Sequence, residues 1–481
     1  MPLPTEPAAD AEKAELSPRQ MFAYALPALP VAFLYLPLPL LIPSFYSQQL
    51  GLSLTAIGSF LFFARIFDFV IDPLLGRLSD RTRSRWGRRR PWMIAGAPIM
   101  MLGSALIFLP PDNVDGWYLM MATMTIYLGA SMLGLAYSAW GAEVVQSYHG
   151  RARLAGFREV ASLVGTLMAA GIPSITAIWG HGIDRFTMSF VGWGVLILTP
   201  PAIFAALRWV PEPKQPAVEG HAEPPLRDMM VQVLRNRPFR LLCIAFIVLT
   251  IGVSVTNSVL VFFITHYLKQ PTLVGPVLGL SFLSVLLFVP VWVRISRRTG
   301  KHKAVAYSLL IGVVTSGVFT FMLQPGDGYW FLALMVVLGA ASAAFLTLPI
   351  GIMGDVIDYD AMKNGEQRGG VFFGVWAFAQ QIAPAIAIGV TLPFLEWLGF
   401  NPAGTNDASA LQGLRYTYCF GPLPFYLIGA LLLLRFPINA RRHAIIRKRL
   451  DSRQRRLLAE FGPHVGGADP LPGTPIQEIA Q

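Results

Sequence analysis

The chain has 481 residues and a formal charge of +11, yet only 14% of its residues are charged, 54% are hydrophobic and the mean hydropathy is +0.54. That balance excludes an ordinary soluble globular domain. The basic residues sit in short connections between apolar stretches, so the positive charge points to membrane topology and away from nucleic acid.

Residues 1–20 are polar and acidic, without the basic start of a signal peptide, and are expected to remain as a cytoplasmic tail. About twelve apolar stretches of spanning length follow, at about 21–49, 52–79, 91–110, 117–143, 154–179, 187–210, 239–266, 273–293, 304–324, 329–354, 371–399 and 413–436. An all-α membrane protein with twelve transmembrane helices is therefore predicted. Pro27, Pro30, Pro37, Pro39 and Pro43 should bend or interrupt the first span. Lysine and arginine crowd alternate connections, at 80–90, 151–158, 211–240, 294–303 and after Arg435. The intervening ones carry Asp112, Asp115 and Asp407, with Arg185 and Lys269 as exceptions. By the positive-inside rule the basic loops and both termini are cytoplasmic.

The polar stretch after the sixth span divides the chain into a six-helix half at 21–210, a central loop at 211–238, a second six-helix half at 239–436 and a basic tail at 437–481. The halves repeat faintly. A shift of 217 positions lays Pro73 on Pro290, Arg77 on Arg294, Ser79 on Ser296, Arg81 on Arg298 and Thr82 on Thr299. Repeated halves around a midplane site are a transporter architecture. The same shift lays Arg65, Asp68 and Asp72 on Phe282, Val285 and Val289, so the charges belong to the first half alone.

Those three charges lie at i, i+3 and i+7 of the second span and share one helix face. Charges at membrane depth are costly and mark functional sites by default. Two carboxylates four residues apart repel each other and call for a bound cation, a shared proton or a buried arginine. Cys243 and Cys419 lie within spans without ligand-spaced neighbours, which argues against a disulfide framework or zinc site. The seven histidines fall in loops or near span ends, and no lysine falls in a span interior. That pattern counts against a haem or metal enzyme and against a retinal protein; no cofactor is expected beyond a coupling ion.

The run Arg65-x-x-Asp68-x-x-x-Asp72-Pro73-x-x-Gly76, continued by Asp80-Arg81-Thr82-Arg83-Ser84-Arg85-Trp86-Gly87-Arg88-Arg89-Arg90-Pro91-Trp92, resembles the glycoside-pentoside-hexuronide:cation symporters, the melibiose-permease branch of the major facilitator superfamily. Gly354-Asp355-Val356-Ile357-Asp358-Tyr359-Asp360 with Arg368-Gly369-Gly370 and Phe372-Phe373-Gly374 resembles that family's tenth-to-eleventh span junction, and Ala142-Glu143 with Arg158 its fourth-to-fifth. The resemblance implies that Asp68 and Asp72, with Arg65 beside them, bind the coupling cation. Ile71 stands where sodium-using members often have asparagine, so sodium and protons are both admitted. Ala32, Gly134 and Gln381 occupy positions where melibiose-type members carry charged sugar-binding residues. Small apolar residues cannot bond a buried sugar hydroxyl.

Tyr137, Trp140, Gln381 and Asn257, with Gln380, remain as substrate-binding candidates. For Tyr137 and Trp140 helix packing is an equal reading, and Asn257 suits an interhelical hydrogen bond. Asp80, Arg81, Arg85 and Arg88 in one half and Asp355 and Asp358 in the other could form a cytoplasmic gate, as the superfamily's signature loop does; the arginines also fix orientation and attract anionic lipid. The basic run Arg441 to Arg456, with Ile445, Ile446 and Leu450, reads as a membrane-surface helix.

The expected protein is a monomeric, multi-pass inner-membrane symporter that couples sodium or protons to a small organic solute such as a sugar, glycoside or sugar acid. The alternatives are the same fold carrying a lysolipid or other amphipathic solute, and a non-transporting receptor or assembly factor.

Overall fold

The computed structural model describes residues 16–145, 148–212, 233–364 and 369–461. Residues 1–15, most of the central loop, Arg368 and the tail beyond 461 lie outside them. Among the described residues there is no strand. The helices are α1 (Pro18–Ala25), α2 (Ala28–Tyr35), α3 (Pro37–Leu40), α4 (Ile42–Gln48), α5 (Leu54–Arg81), α6 (Arg90–Phe108), α7 (Gly116–Val144), α8 (Tyr148–Ile178) and α9 (Arg185–Trp209). They continue as α10 (Arg237–Phe262), α11 (Val274–Thr299), α12 (Lys301–Val314), α13 (Gly328–Asn364), α14 (Gly369–Trp397), α15 (Ala408–Phe420), α16 (Leu423–Leu434) and α17 (Ala440–Phe461).

Twelve segments are long and apolar enough to cross a bilayer, six between Pro18 and Trp209 and six between Arg237 and Leu434. The chain forms two compact units, Met1–Ala217 and Val218–Gln481.

The first span is divided as its prolines dictate. Pro27 caps α2, Pro37 opens α3 and Pro43 is the second residue of α4. Each removes a ladder donor where one short helix gives way to the next. The spanning piece is Pro18–Leu40, shorter than the apolar run suggested. Side-chain caps set other boundaries: Ser53, Asp115, Asp184, Asn236 and Asp407 each accept a hydrogen bond from a backbone N–H of the first turn. The cap at Asp407 moves the start of the last span back to Ala408, so that Arg415 lies two turns inside it. The tenth span is longer than expected as well, and Asp355, Asp358 and Asp360 lie on the last turns of α13.

The faint sequence repeat is a repeat of packing. In the first unit α5 and α6 pack on α7, α2 packs on α8 and α9, and α6 packs on α9. In the second, α11 and α12 pack on α13, α10 packs on α14 and α16, and α12 packs on α16. These are the same helix pairings in the same order. Pro73 and Pro290 fall within the corresponding helices α5 and α11. Arg185, out of place by the charge rule, is held by Asp112 at 2.8 Å and by the carbonyls of Pro110 and Pro111.

Small residues allow α6 and α7 to approach closely. A Cβ added at Gly129 would lie 2.1 Å from the backbone nitrogen of Met100, and one at Gly96 would lie 2.8 Å from the carbonyl of Gly129. By contrast, nothing lies within 4 Å of a Cβ at Gly134, five residues further along α7. Gly129→Val should therefore destabilise the detergent-purified protein by about 1–3 kcal/mol or prevent its accumulation, whereas Gly134→Ala should leave its melting temperature nearly unchanged. Thermal unfolding followed by size-exclusion chromatography checks both.

Candidate functional site

Asp68 lies halfway along α5 and is only 2% exposed. Its Oδ2 accepts a hydrogen bond from Arg65 Nη1 at 3.0 Å, one turn earlier on the same helix. Its Oδ1 accepts one from Ser131 Oγ of α7 at 2.9 Å. The Arg65 guanidinium lies 4.3 Å from the centroid of the Tyr127 ring, also on α7. Asp72 is half-buried one turn beyond Asp68 and within its electrostatic reach. Tyr35 of α2 is within electrostatic reach of Arg65 and both carboxylates.

Arg65, Asp68 and Asp72 thus share one face, and α7 supplies two further members. Sequence spacing alone missed Ser131 and Tyr127, because it shows which residues share a helix face but not which neighbouring helix meets that face. The i, i+4 spacing of Tyr127 and Ser131 was the one available signal. With both carboxylates ionised, the cluster of one arginine and two aspartates has a formal charge of −1, which a single monovalent cation neutralises. A carboxylate oxygen has lone pairs beyond one hydrogen bond, so Asp68 keeps acceptor capacity for such an ion. Among the described residues no group of three or more histidine, cysteine, aspartate or glutamate side chains converges to hold a metal ion.

Tyr137 and Trp140 pack against α1. The Tyr137 ring stacks on Tyr24 at 4.6 Å, and their hydroxyls donate to each other's backbone carbonyls, at 2.8 Å from Tyr137 and 3.2 Å from Tyr24. Trp140 is fully buried beside Tyr24. This geometry is that of helix packing, one of the two readings the sequence allowed. Gln381 is half-buried on α14, and its neighbour Gln380 accepts a hydrogen bond from Thr250 of α10 at 2.9 Å. Asn257 is half-buried on α10. Ala32 is half-buried, and the space in front of Gly134 is open.

Of the gate candidates, Asp80, Arg88, Asp355 and Asp358 have charged partners within their own units. In the first, Arg89 is 5% exposed and binds Asp80 at 2.6 Å, Glu143 at 2.9 Å and Ser79 Oγ at 2.9 Å. Arg88 also reaches Glu143, at 2.5 Å. Arg90 binds Glu212 at 2.7 Å and donates to the Val210 carbonyl. Burial pushes the Glu212 carboxyl up from its ordinary pKa, opposed by Arg90. Arg81 and Arg85 are exposed, with Arg85 over the Trp86 ring. In the second unit Lys301 binds Asp355 at 2.6 Å, while His443 and Arg447 of α17 each lie 3.0 Å from Asp358.

Lys301, His443 and Arg447 were not singled out from the sequence. Arg415, another charge within a span, donates to the Phe321 carbonyl and lies 4.0 Å from the centroid of that residue's ring.

A twelve-span helical protein of two similarly packed six-helix units, with charged residues placed inside a span, is a membrane transporter of the major facilitator type. The chain belongs to the family described as MFS/sugar transport protein, whose model matches residues 23–440. That is the assignment to which the second-span motif pointed, the glycoside-pentoside-hexuronide:cation symporters. The glucuronide carrier protein homolog of Escherichia coli (strain K12) is 22% identical, over 92% of this chain and 97% of the relative. The sodium-dependent lysophosphatidylcholine symporter 1 of Xenopus tropicalis is also 22% identical, over 81% and 82%. The crystal structure of a bacterial homolog to the human lysosomal transporter Spinster shares the fold, with a TM-score of 0.62 at 13% identity, covering 88% of this chain and 100% of that one.

Arg89 offers a structural test, since its buried charge depends on Glu143. Glu143→Ala should destabilise the protein by on the order of 2–4 kcal/mol, less than a fully orphaned buried charge because Asp80 and Ser79 still hold Arg89. Arg85→Ala, at an exposed position, should change stability by less than about 0.5 kcal/mol. Thermal melts of the two purified variants beside the parent make the comparison.

Proposed function

We propose that this protein is a cation-coupled symporter that moves a small organic solute by alternating access, with Asp68 and Asp72 as the coupling site and Arg65 as their internal counter-charge. It acts as a carrier rather than an enzyme, as a monomer in the inner membrane, with both termini cytoplasmic. The observation that carries this reading is the buried Asp68 carboxylate, fixed by Arg65 and Ser131, with Asp72 one turn away. The net charge of −1 favours one Na+ or H+ per cycle, and an empty site is the costlier one to bury. Asp80, Arg81, Arg85 and Arg88, with Asp355 and Asp358, are the proposed elements of the cytoplasmic gate. The pairs within each unit hold those edges in shape.

For cargo, the relative named as a glucuronide carrier supports a sugar, glycoside or sugar acid, with Gln381 and Asn257 of the second unit as its proposed contacts. A second reading, an amphipathic lysolipid, is favoured by a specific feature. An apolar cleft of about 580 Å3 in the second unit, lined by Val255, Ile386, Val390, Phe394, Tyr416 and Phe420 among others, suits an acyl chain. The relative named as a lysophosphatidylcholine symporter points the same way.

Proteoliposomes loaded to give a sodium or a proton gradient, offered labelled glucuronides, pentosides or lysophosphatidylcholine, test both parts. Asp72→Asn should remove gradient-driven accumulation in protein that still inserts and folds. Its cation affinity should fall about tenfold or more, equivalent to a loss of about 1.4 kcal/mol. Accumulation against a gradient that survives in both Asp68→Asn and Asp72→Asn would overturn the site.

Gln381→Ala separates cargo from cation. It should weaken substrate binding by about 1–3 kcal/mol and change cation binding much less. Titrations of each ligand on the same purified variant read the difference, and a collapse of cation affinity alone would move Gln381 to the ion site.

A further inference from the structure

The C-terminal helix α17 is strapped to the end of α13. Ile446 is buried in the core of the second unit, to which Met353 and Val356 of α13 also belong, with Leu450 packed against that core. His443 and Arg447 hold Asp358 on the same side. Positions 443, 446, 447 and 450 make one helix face, and the neighbouring Lys448 and Arg449 are exposed. Where the strap crosses α13, Tyr359, Met362 and Lys363 of α13 and Arg449 and Leu450 of α17 enclose a half-open cavity of about 370 Å3. Lys363 and Arg449 form no ion pair with another described residue.

We propose that this cavity binds the phosphate headgroup of an anionic phospholipid. Two cations from different helices and a tyrosine hydroxyl offer donors to a phosphodiester, arginine as a planar fork and lysine as a point charge. Met362 and Leu450 give the same cavity apolar walls that a glycerol backbone and the first acyl methylenes cover and a free phosphate does not. The location agrees. α13 is a membrane span, and only five residues separate Leu434 at the end of the last span from Ala440 at the start of α17. Such a link reaches about 20 Å at full extension, so the helix stays at the bilayer surface. Ile445, 50% exposed, presents an apolar side chain at that level. Assignment of the lipid to the cytoplasmic leaflet rests on the proposed orientation; the headgroup site itself does not.

The test uses the full-length protein in detergent, with retained lipid read by native mass spectrometry after incubation with phosphatidylglycerol, with phosphatidylcholine or with inorganic phosphate. The parent should retain phosphatidylglycerol over phosphatidylcholine. The double variant Lys363→Gln/Arg449→Gln should bind it roughly ten- to thirtyfold more weakly. A variant with the same loss of charge elsewhere on the helix, Arg441→Gln/Lys448→Gln, should retain it nearly as the parent does. Three outcomes would each overturn the proposal: equal weakening in both double variants, which means general attraction to a basic helix; unchanged retention in Lys363→Gln/Arg449→Gln; or displacement of phosphatidylglycerol by millimolar inorganic phosphate, which means a soluble-anion site. Melting temperatures of both variants close to the parent's keep a folding defect from imitating the expected result.

Discussion

The cost of placing charge in a low-dielectric interior governs this structure more than any single packing contact. A lone ionised carboxylate there is penalised by several kcal/mol, and the cost is offset only when geometry supplies partners for its lone pairs. Asp68 has an arginine on one oxygen and a hydroxyl on the other. Buried Asp360 accepts from the amides of Asn236 and Asn364, and Arg89 is divided among three acceptors. Arg415 near the N-terminal end of the last span uses a carbonyl and two aromatic faces. In each case a charge that hydropathy would exclude is retained through partners from a second helix or loop.

Much of the fold was legible because its physics is periodic. Bilayer thickness sets the length of the apolar stretches, and a long polar stretch interrupts them after the sixth, so the twelve spans and their halves could be read without contacts. The boundaries were less legible because they depend on single side chains. Asp407 extends the last span by capping it, and the prolines at 27, 37 and 43 cut the first into short helices. Within the site, the face shared by Arg65, Asp68 and Asp72 followed from helical spacing, whereas Ser131 did not. A serine in an apolar span is ordinary in sequence, and only the meeting of α5 with α7 places its hydroxyl on Asp68. The strap between α13 and α17 was hidden for a related reason: in sequence His443 is one of seven histidines in loops or near span ends, and only the packing of α17 on α13 places it 3.0 Å from Asp358.

Position also makes the two carboxylates inequivalent. Asp68 is fixed by both oxygens, whereas Asp72, half-buried, lies nearer the C-terminal end of α5. In the proposed carrier, a cation held by both would tie that helix to α7 through Ser131. One turn further along α7 lies Gly134 with open space before it, and beyond that the Tyr137 and Trp140 packing on α1. A contiguous stretch of α7 therefore links the proposed ion site to the interrupted first span, the kind of connection through which two ligands can bias one equilibrium.

The second unit supplies an internal control for the alternative that Arg65 and Asp68 merely lock helices together. Its α11 and α13 make the contact that α5 and α7 make in the first unit, yet the positions corresponding to Arg65, Asp68 and Asp72 are Phe282, Val285 and Val289. The connection there is neutral. Ser284 donates to the carbonyl of Val336 and Trp292 to that of Ala340, both at 2.6 Å. Replacing a buried ion pair by neutral packing is commonly neutral or stabilising, and this protein already contains the neutral version of the same joint. Packing alone therefore gives no reason for the first unit to bear the desolvation of two aspartates and an arginine, and a role in binding a cation does.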